Sequence, residues 1–336
     1  MDNKSDIVVS VTDGNGKVRI GGDDVMDYEG QICRAPMERA SFMLPVMVGC
    51  SYNRCKFCNL FRHLTYRELP LKDIEAELRR VKDAGGSPKK IFLGDGNAFG
   101  LKTERLFEIL ELIHTYFPAC HCINMDATVT SVLKKSDAEL LRFYEQGVRH
   151  LYLGIESGLD DVLAFMEKDH DLAEAYDAIE RIHRAGLIYD AHIMTGVAGK
   201  GRGEENARAL AEFLNRTKPA HVVNFSMFLH EEVPLYHHIE DGSYIPATEL
   251  ESLKEERLLL ELLKGDMLYD GFHDYIEVRT RGKVSRDKEK MLEKLDKAIA
   301  EYEGKPPVYA YVRGECPALF KCDGEEKLWD FSRGKK

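Results

Sequence analysis

Three cysteines, Cys50, Cys55 and Cys58, fall within nine residues of the stretch VGCSYNRCKFCNLFR. Thiols crowded in this way are metal ligands or redox groups. Two chemistries compete for them. Structural zinc prefers four ligands, often as two closely spaced pairs. Cys55 and Cys58 offer one pair, and Cys33 or His63 would complete a set. Cys120 and Cys122 stand one residue apart, on opposite faces if the segment is a strand. An iron–sulfur cluster on three thiolates instead keeps one iron open, and an open metal position is where something reacts. The spacing favours the cluster over zinc.

Other polar residues recur at regular places along the chain. Gly94, Asp95, Gly96 and Asn97 form one group, and Gly154-Ile155-Glu156-Ser157-Gly158 forms another. Asp126 stands alone, with capping of the following turn as its ordinary alternative. Gly-Asp-Gly-Asn is also good loop chemistry. His192 and His230 are candidates for orienting a substrate or passing a proton, against the plainer reading of satisfied core histidines. Arg34 reads as a surface ion pair sooner than a site residue, and Cys316 and Cys322 as ordinary thiols.

These residues need elements to place them. Residues 41–48 read as a buried strand that delivers the cysteine loop. Short apolar strands follow at 90–94, 122–126, 150–154, 190–196 and 221–228, with helical periodicity at 69–84, 101–116, 136–146, 172–185 and 204–216. Strict alternation implies parallel strands with helical crossovers. The candidate residues follow the carboxyl end of nearly every strand, which suits a barrel better than a sheet with one switch point. The expected fold is therefore α/β, a partial (β/α)6 TIM-type barrel. Residues 7–20, alternating around Asp13-Gly14-Asn15-Gly16, read as an N-terminal β-hairpin. Helical patterns at 248–264 and 286–302 form a C-terminal helical extension. This divides the chain into a lead-in at 1–40, a barrel core at 41–235 and a cover at 236–336.

The 336 residues are 44% hydrophobic and 31% charged, with 47 basic against 58 acidic residues and a net charge of −11. That balance argues against a large nucleic-acid partner, because phosphate neutralisation needs basic surface. No stretch approaches the roughly 20 apolar residues that span a bilayer. The start carries early acids and reads as no signal peptide, so a cytoplasmic location with free thiols is expected.

The loop Gly49-Cys50-Ser51-x-Asn53-x-Cys55-x-Phe57-Cys58 resembles that of the radical S-adenosylmethionine (SAM) superfamily, in a subgroup with four residues in the first gap. The resemblance covers roughly residues 30 to 300. It implies a [4Fe–4S] cluster on Cys50, Cys55 and Cys58, with SAM as the ligand of the open iron and Phe57 near its adenine. Gly94, Asp95, Gly96 and Asn97 stand where the family binds the SAM amino group, with Asp95-Gly96 replacing its usual Gly-Glu. Glu156 and Ser157 match its ribose segment, Lys168 a basic residue facing the SAM carboxylate, and Gly196 the adenine-binding strand. Asp126 falls on the same rim. The implied activity is reductive cleavage of SAM to a 5′-deoxyadenosyl radical that abstracts hydrogen from a small-molecule substrate, with flavodoxin or ferredoxin as electron donor. An RNA-modifying or methyl- or sulfur-transferring enzyme is the alternative within the family, and a zinc-stabilised binding module the alternative outside it.

Overall fold

The computed structural model describes residues 11–12, 18–19, 29 and 33–311 of the chain. Eight strands make one sheet: β1 (Phe42–Pro45), β2 (Lys90–Gly94), β3 (Cys122–Ala127), β4 (Val148–Glu156), β5 (Ile188–Thr195), β6 (His221–Ser226), β7 (Leu268–His273) and β8 (Val278–Lys283). They lie in sequence order from edge to edge. Strands β1 to β7 are parallel to their neighbours, and β8 returns antiparallel to β7. An order without reversal is the winding of a barrel wall, so the expected partial barrel is present. The last two strands extend it, and the sequence reading had placed only helices beyond residue 235.

Helices fill the crossovers: α1 (Leu71–Asp83), α2 (Thr103–Tyr116), α3 (Val129–Leu133), α4 (Asp137–Glu145), α5 (Asp160–Phe165), α6 (Leu172–Arg184), α7 (Gly203–Thr217), α8 (Pro234–Glu240) and α9 (Glu249–Leu262), with α10 (Val284–Tyr302) after β8. Capping boxes start α4, α6 and α9, where Ser136, Asp171 and Thr248 accept the backbone N–H of Glu139, Glu174 and Glu251. Alternation splits the strands. Ile91, Leu93, Ile123 and Met125 face the helices in the main core, while Phe92 and Tyr152 face inward against Ala35. No helix among the described residues is long and apolar enough to cross a membrane. Of the expected hairpin, Val11–Thr12 and Val18–Arg19 pair antiparallel, and its turn lies outside the described residues, as do Cys316 and Cys322.

The segment before β1 enters the inner face. Glu38 is fully buried, and its carboxylate accepts from Ser41, from Tyr152, from Asn124 Nδ2 at 2.8 Å and from Lys90 Nζ at 2.9 Å. Burial opposes its charge, but these donors together hold Glu38 below the usual carboxylate range. A buried acid with four donors fixes the strands it touches, here β2, β3 and β4.

A second buried network joins α9 to β7. His273 Nδ1 lies 2.9 Å from Glu249 and its Nε2 2.7 Å from Glu256, all three buried. Burial works against the imidazolium, but the two carboxylates overcome it and raise His273 to about 10. A folded value above the unfolded one means that the contribution is full below the ordinary histidine value and is lost as pH rises through about 10. Denaturant titrations at pH 7 and 9.5 should therefore show the wild type losing stability with pH. His273→Gln should be less stable at pH 7 and show a shallower decline. Equal slopes for the two proteins would contradict this account.

Candidate active site

The cysteine loop leaves the carboxyl end of β1, and its shape is set by side chains within and beside it. The Arg62 guanidinium donates to the carbonyls of Cys58 at 2.9 Å and Cys55 at 2.6 Å, and Asn53 Nδ2 donates to that of Phe61 at 3.1 Å. Asn53 holds a positive φ of 45°, a conformation that asparagine tolerates better than most residues. From outside, Lys56 N–H bonds to Met166 O at 3.0 Å, and Tyr52 Oη donates to Glu167 O at 2.6 Å. These contacts tie the loop to the end of α5.

Gly96 explains how the next loop meets the cysteines. A methyl group there would lie 2.8 Å from Cys50 Cβ and 2.9 Å from its Cα, so only glycine lets the two backbones touch. Asn97 Nδ2 donates to Ser51 Oγ at 3.1 Å, and Asn97 Oδ1 accepts from the backbone of Thr128 at 3.1 Å. The loops after β1, β2 and β3 thus form one unit. Asp95 and Asp126 belong to it. Burial raises Asp95 to about 7, against the backbone donors Gly49 and Gly96. Burial, then the charge of Asp95, raise Asp126 to about 8. The Oδ1 atoms of both are buried without a protein partner. Orphaned acceptors of this kind are rare unless a ligand completes them.

Glu156 ends β4, where the pairing with β5 shifts register, and takes a φ of 63°. A non-glycine residue in that region marks a position held by its surroundings. Its Oε1 lies 3.1 Å from Lys168 Nζ. Burial opposes the lysine's charge, but Cys55, Glu156 and Asp169 together hold Lys168 above its ordinary range. In return Lys168 lowers Cys50, Cys55 and Cys58, whose burial otherwise raises them, Cys55 to about 11. The charge of one ammonium thus favours the thiolate form of all three. Phe57 sits beside it, its ring centroid 6.0 Å from Lys168 Nζ.

Ser157 is fully buried and bonded on the side of α7. Its hydroxyl donates to Asn206 Oδ1 at 2.7 Å, which also accepts from the Gly158 backbone at 3.2 Å. Asn206 Nδ2 then donates to Glu255 at 2.7 Å, and Glu255 accepts the Gly196 N–H at 2.9 Å. Gly196 has a φ of 82°, and a Cβ there would meet Ser252 Oγ at 2.7 Å. Its glycine is thus explained by backbone conformation and by contact with α9. On the inner face, His192 lies between Tyr152 and Phe225, at centroid distances of 5.7 and 6.2 Å. Burial holds His192 below the usual imidazole range, and its Nε2 has no protein partner. Asn59 Nδ2 donates to His230 Nδ1 at 2.8 Å, which draws His230 to the cysteine loop. Arg34 donates to Ser41 O at 3.1 Å, inside its own segment.

The structure therefore gathers Phe57, Asp95, Asp126, Glu156 and Lys168 around the cysteines, and gives Asn97 and Ser157 positioning roles. Sequence reasoning missed Arg62, Asn206 and Glu255, which have no spacing signature. It placed Cys33 only in a possible zinc set. The Cys33 thiol, on a half-buried residue, is raised by desolvation and by Asp126, Asp95 and Cys58, so it stands within the same group of charges.

As to metals, one trio of His, Cys, Asp or Glu among the described residues has all its ligand atoms within 4.8 Å, namely His150, Asp190 and His221. The three cysteine sulfurs do not all lie within that distance of one another. Zinc, with Zn–S bonds of about 2.3 Å, would draw them to about 3.8 Å. A polynuclear cluster, with one thiolate per iron, suits the wider setting.

Comparison with known proteins agrees with this chemistry. The Radical SAM superfamily profile matches residues 44–214. A tRNA-2-methylthio-N(6)-dimethylallyladenosine synthase of Alkalilimnicola ehrlichii is 27% identical over 204 residues, 56% of this chain and 45% of that protein. The heme chaperone HemW of Buchnera aphidicola is 21% identical over 194 residues, 54% of this chain and 50% of that one. The chain thus spans about half the length of the curated relatives it matches. Among solved structures, the radical SAM methyltransferase TsrM of Kitasatospora setae, with cobalamin and a 4Fe-4S cluster bound, aligns with a TM-score of 0.51 at 14% identity, over 60% of this chain and 39% of that one. Coproporphyrinogen III oxidase (HemN) of Escherichia coli aligns with a TM-score of 0.50 at 14% identity, over 66% and 52%. These two likenesses concern the fold. With just over half of its length matched, the chain belongs to the Radical SAM superfamily, whose members use a 4Fe-4S cluster and S-adenosylmethionine.

Proposed function

We propose that this protein is a radical SAM enzyme that abstracts a hydrogen atom from a small molecule bound inside the barrel wall. The observation that carries this reading is the pair of orphaned carboxylate oxygens, on Asp95 and Asp126, in the loops that meet the cysteine loop at Cys50 and Ser51. The residues fit the cofactors. Cys50, Cys55 and Cys58 hold the cluster, and the loop Gly94 to Asn97 with Asp126 offers acceptors to the ammonium of SAM. Glu156 takes the ribose hydroxyls, and Lys168 faces the carboxylate. Phe57 and the backbone at Gly196 border the adenine. When bound, cluster and SAM together supply one-electron cleavage of a carbon–sulfur bond, which yields methionine and a 5′-deoxyadenosyl radical.

The rest of the work falls to the chain. Tyr152, His192, Phe225 and Phe272 form an aromatic wall on the inner face, with Phe225 stacked on Phe272 at 5.3 Å. Such a wall, with one unpaired imidazole nitrogen, has the composition of a small-ligand site. His192 is neutral at pH 7 and orients a substrate by hydrogen bonding. The segment Val308 to Tyr311 crosses the rim beside Leu229, with Leu229 N–H bonded to Ala310 O at 2.8 Å, and it helps to exclude water. Electrons come from flavodoxin or ferredoxin. A tRNA substrate is the second reading, because several curated relatives are tRNA-modifying synthases by name.

Three measurements test this. Cys55→Ala should abolish cluster absorbance after anaerobic reconstitution, whereas Cys120→Ala should keep it. Zinc alone in the wild-type loop would sink the proposal. Glu156→Ala should weaken SAM binding by about ten- to a hundredfold with iron and sulfide intact, the loss of a charged hydrogen bond. Asn206→Ala should weaken it through displacement of both nucleoside loops, and Asn206→Asp should not restore it, because a carboxylate cannot donate to Glu255. Finally, 5′-deoxyadenosine release under reducing conditions should be stimulated by a small-molecule extract. Stimulation by RNA alone would favour the second reading.

A further inference from the structure

A cavity of about 780 Å³ opens at the other end of the sheet. It is bordered by the first residues of β6 and β7, His221 and Leu268, and by the last of the antiparallel β8, Lys283. The cysteine loop, Glu156 and Gly196 lie at the carboxyl ends of the parallel strands. A six-residue strand is about 17 Å long, so the two places are distinct.

The wall of this cavity is cationic, in a chain whose net charge is −11. Six side chains supply the charge: Arg279, Arg281 and Lys283 from β8, and Arg286, Lys290 and Lys294 from α10. The wall's only acids among the described residues are Asp270 and Asp287. Asp270, itself buried, holds Arg279 by two bonds of 3.0 and 2.9 Å. Asp287 lies 2.7 Å from Arg286. Lys294 Nζ donates to Arg279 O, which joins the two rows.

The rows are regular. Alternate residues of a strand stand about 6.6 Å apart, and residues four apart on a helix rise about 6 Å. Helix α10 also sorts its charges. Arg286, Lys290 and Lys294 line the cavity, while Glu289 and Glu293 do not. Cations on an edge strand also discourage pairing with another sheet, which would account for the basic residues of β8. It does not account for three more from a helix, aimed at the same space.

We propose that this cavity binds a small polyanion, with two or more phosphate or carboxylate groups bridging the β8 and α10 rows. The volume is that of a small-ligand site. A long phosphodiester chain would run beyond the cavity, where the remainder of a chain of net charge −11 carries the excess of acids, and would be repelled there.

The test uses the full chain and isothermal titration at 50 mM salt, with inorganic tripolyphosphate and with citrate as probes. Saturable binding of at least one is expected, and the tighter of the two identifies the anionic group. The double variant Lys290→Ala, Lys294→Ala should bind about tenfold more weakly or worse, with a folded far-UV circular dichroism spectrum retained. A control variant, Lys72→Ala with Lys102→Ala, should bind like the wild type. Absence of saturable binding by both probes overturns the proposal. So does an affinity that the cavity variant leaves unchanged, or an equal loss in the control. Tighter binding of a 20-nucleotide RNA than of either probe overturns the assignment to a small ligand. Cys55→Ala should bind the probes like the wild type, so this result stands apart from the cluster reading.

Discussion

A buried carboxylate must be satisfied by donors, and the two that bond to Glu255 are neutral, with the charge of His273 adding to them without a bond. Burial raises it to about 7, against the N–H of Gly196 and the amide of Asn206 that favour its charged form. Through Asn206 it reaches Ser157 and Gly158 after β4, and through Gly196 it reaches the loop after β5. One side chain of α9 therefore spaces the two loops assigned to the nucleoside. The constraint works both ways. Helix α9 packs against α7 and α10 because its acids have partners inside, and the loops keep their spacing because α9 is docked.

The inner face of the sheet repeats the same principle at a different depth. Glu38 ties the segment before β1 to β2, β3 and β4 by accepting from four donors. Asp190 accepts from His150 Nδ1 at 2.6 Å and from the His221 backbone at 2.9 Å, which fixes the starts of β4, β5 and β6. A barrel wall that has not closed lacks the ring of hydrogen bonds that stiffens a complete barrel. Buried carboxylates that each bridge several strands supply part of that stiffness.

What the sequence revealed followed from periodicity and spacing. The cysteine loop could be read because three thiols at short spacing have few uses. Strands β1 to β6 could be read because apolar runs bounded by helices leave little choice. Strands β7 and β8 were hidden for a physical reason. Leu268-Tyr269-Asp270-Gly271-Phe272-His273 carries an acid, a glycine and a histidine whose partners are distant in sequence. Val278 to Lys283 alternates Arg and Lys, as an edge strand facing solvent does. Helix α9 hides its partners in the same way. Glu249, Glu255 and Glu256 are buried, because His273, Gly196 and Asn206 arrive from elsewhere in the chain. Pairings of this kind leave no trace in local pattern.

Lys168 closes the electrostatic argument. Three thiolates brought together below the surface repel one another, and burial penalises each of them. Arg62 shapes their loop but bonds to its carbonyls, so its contribution is geometric. Lys168 acts on all three sulfurs and is itself kept charged by Glu156 and Asp169. Its backbone N–H bonds to Leu163 O at 2.9 Å, in the segment that also receives Lys56 and Tyr52 from the cysteine loop. The short helix α5 thus fixes both the loop and the cation that makes it able to carry charge. Glu156, strained at the end of β4, completes the arrangement: its carboxylate pairs with Lys168 at 3.1 Å and helps the ammonium to stay buried. The site is preorganised by mutual satisfaction among charges, each member held by a neighbour that it also serves.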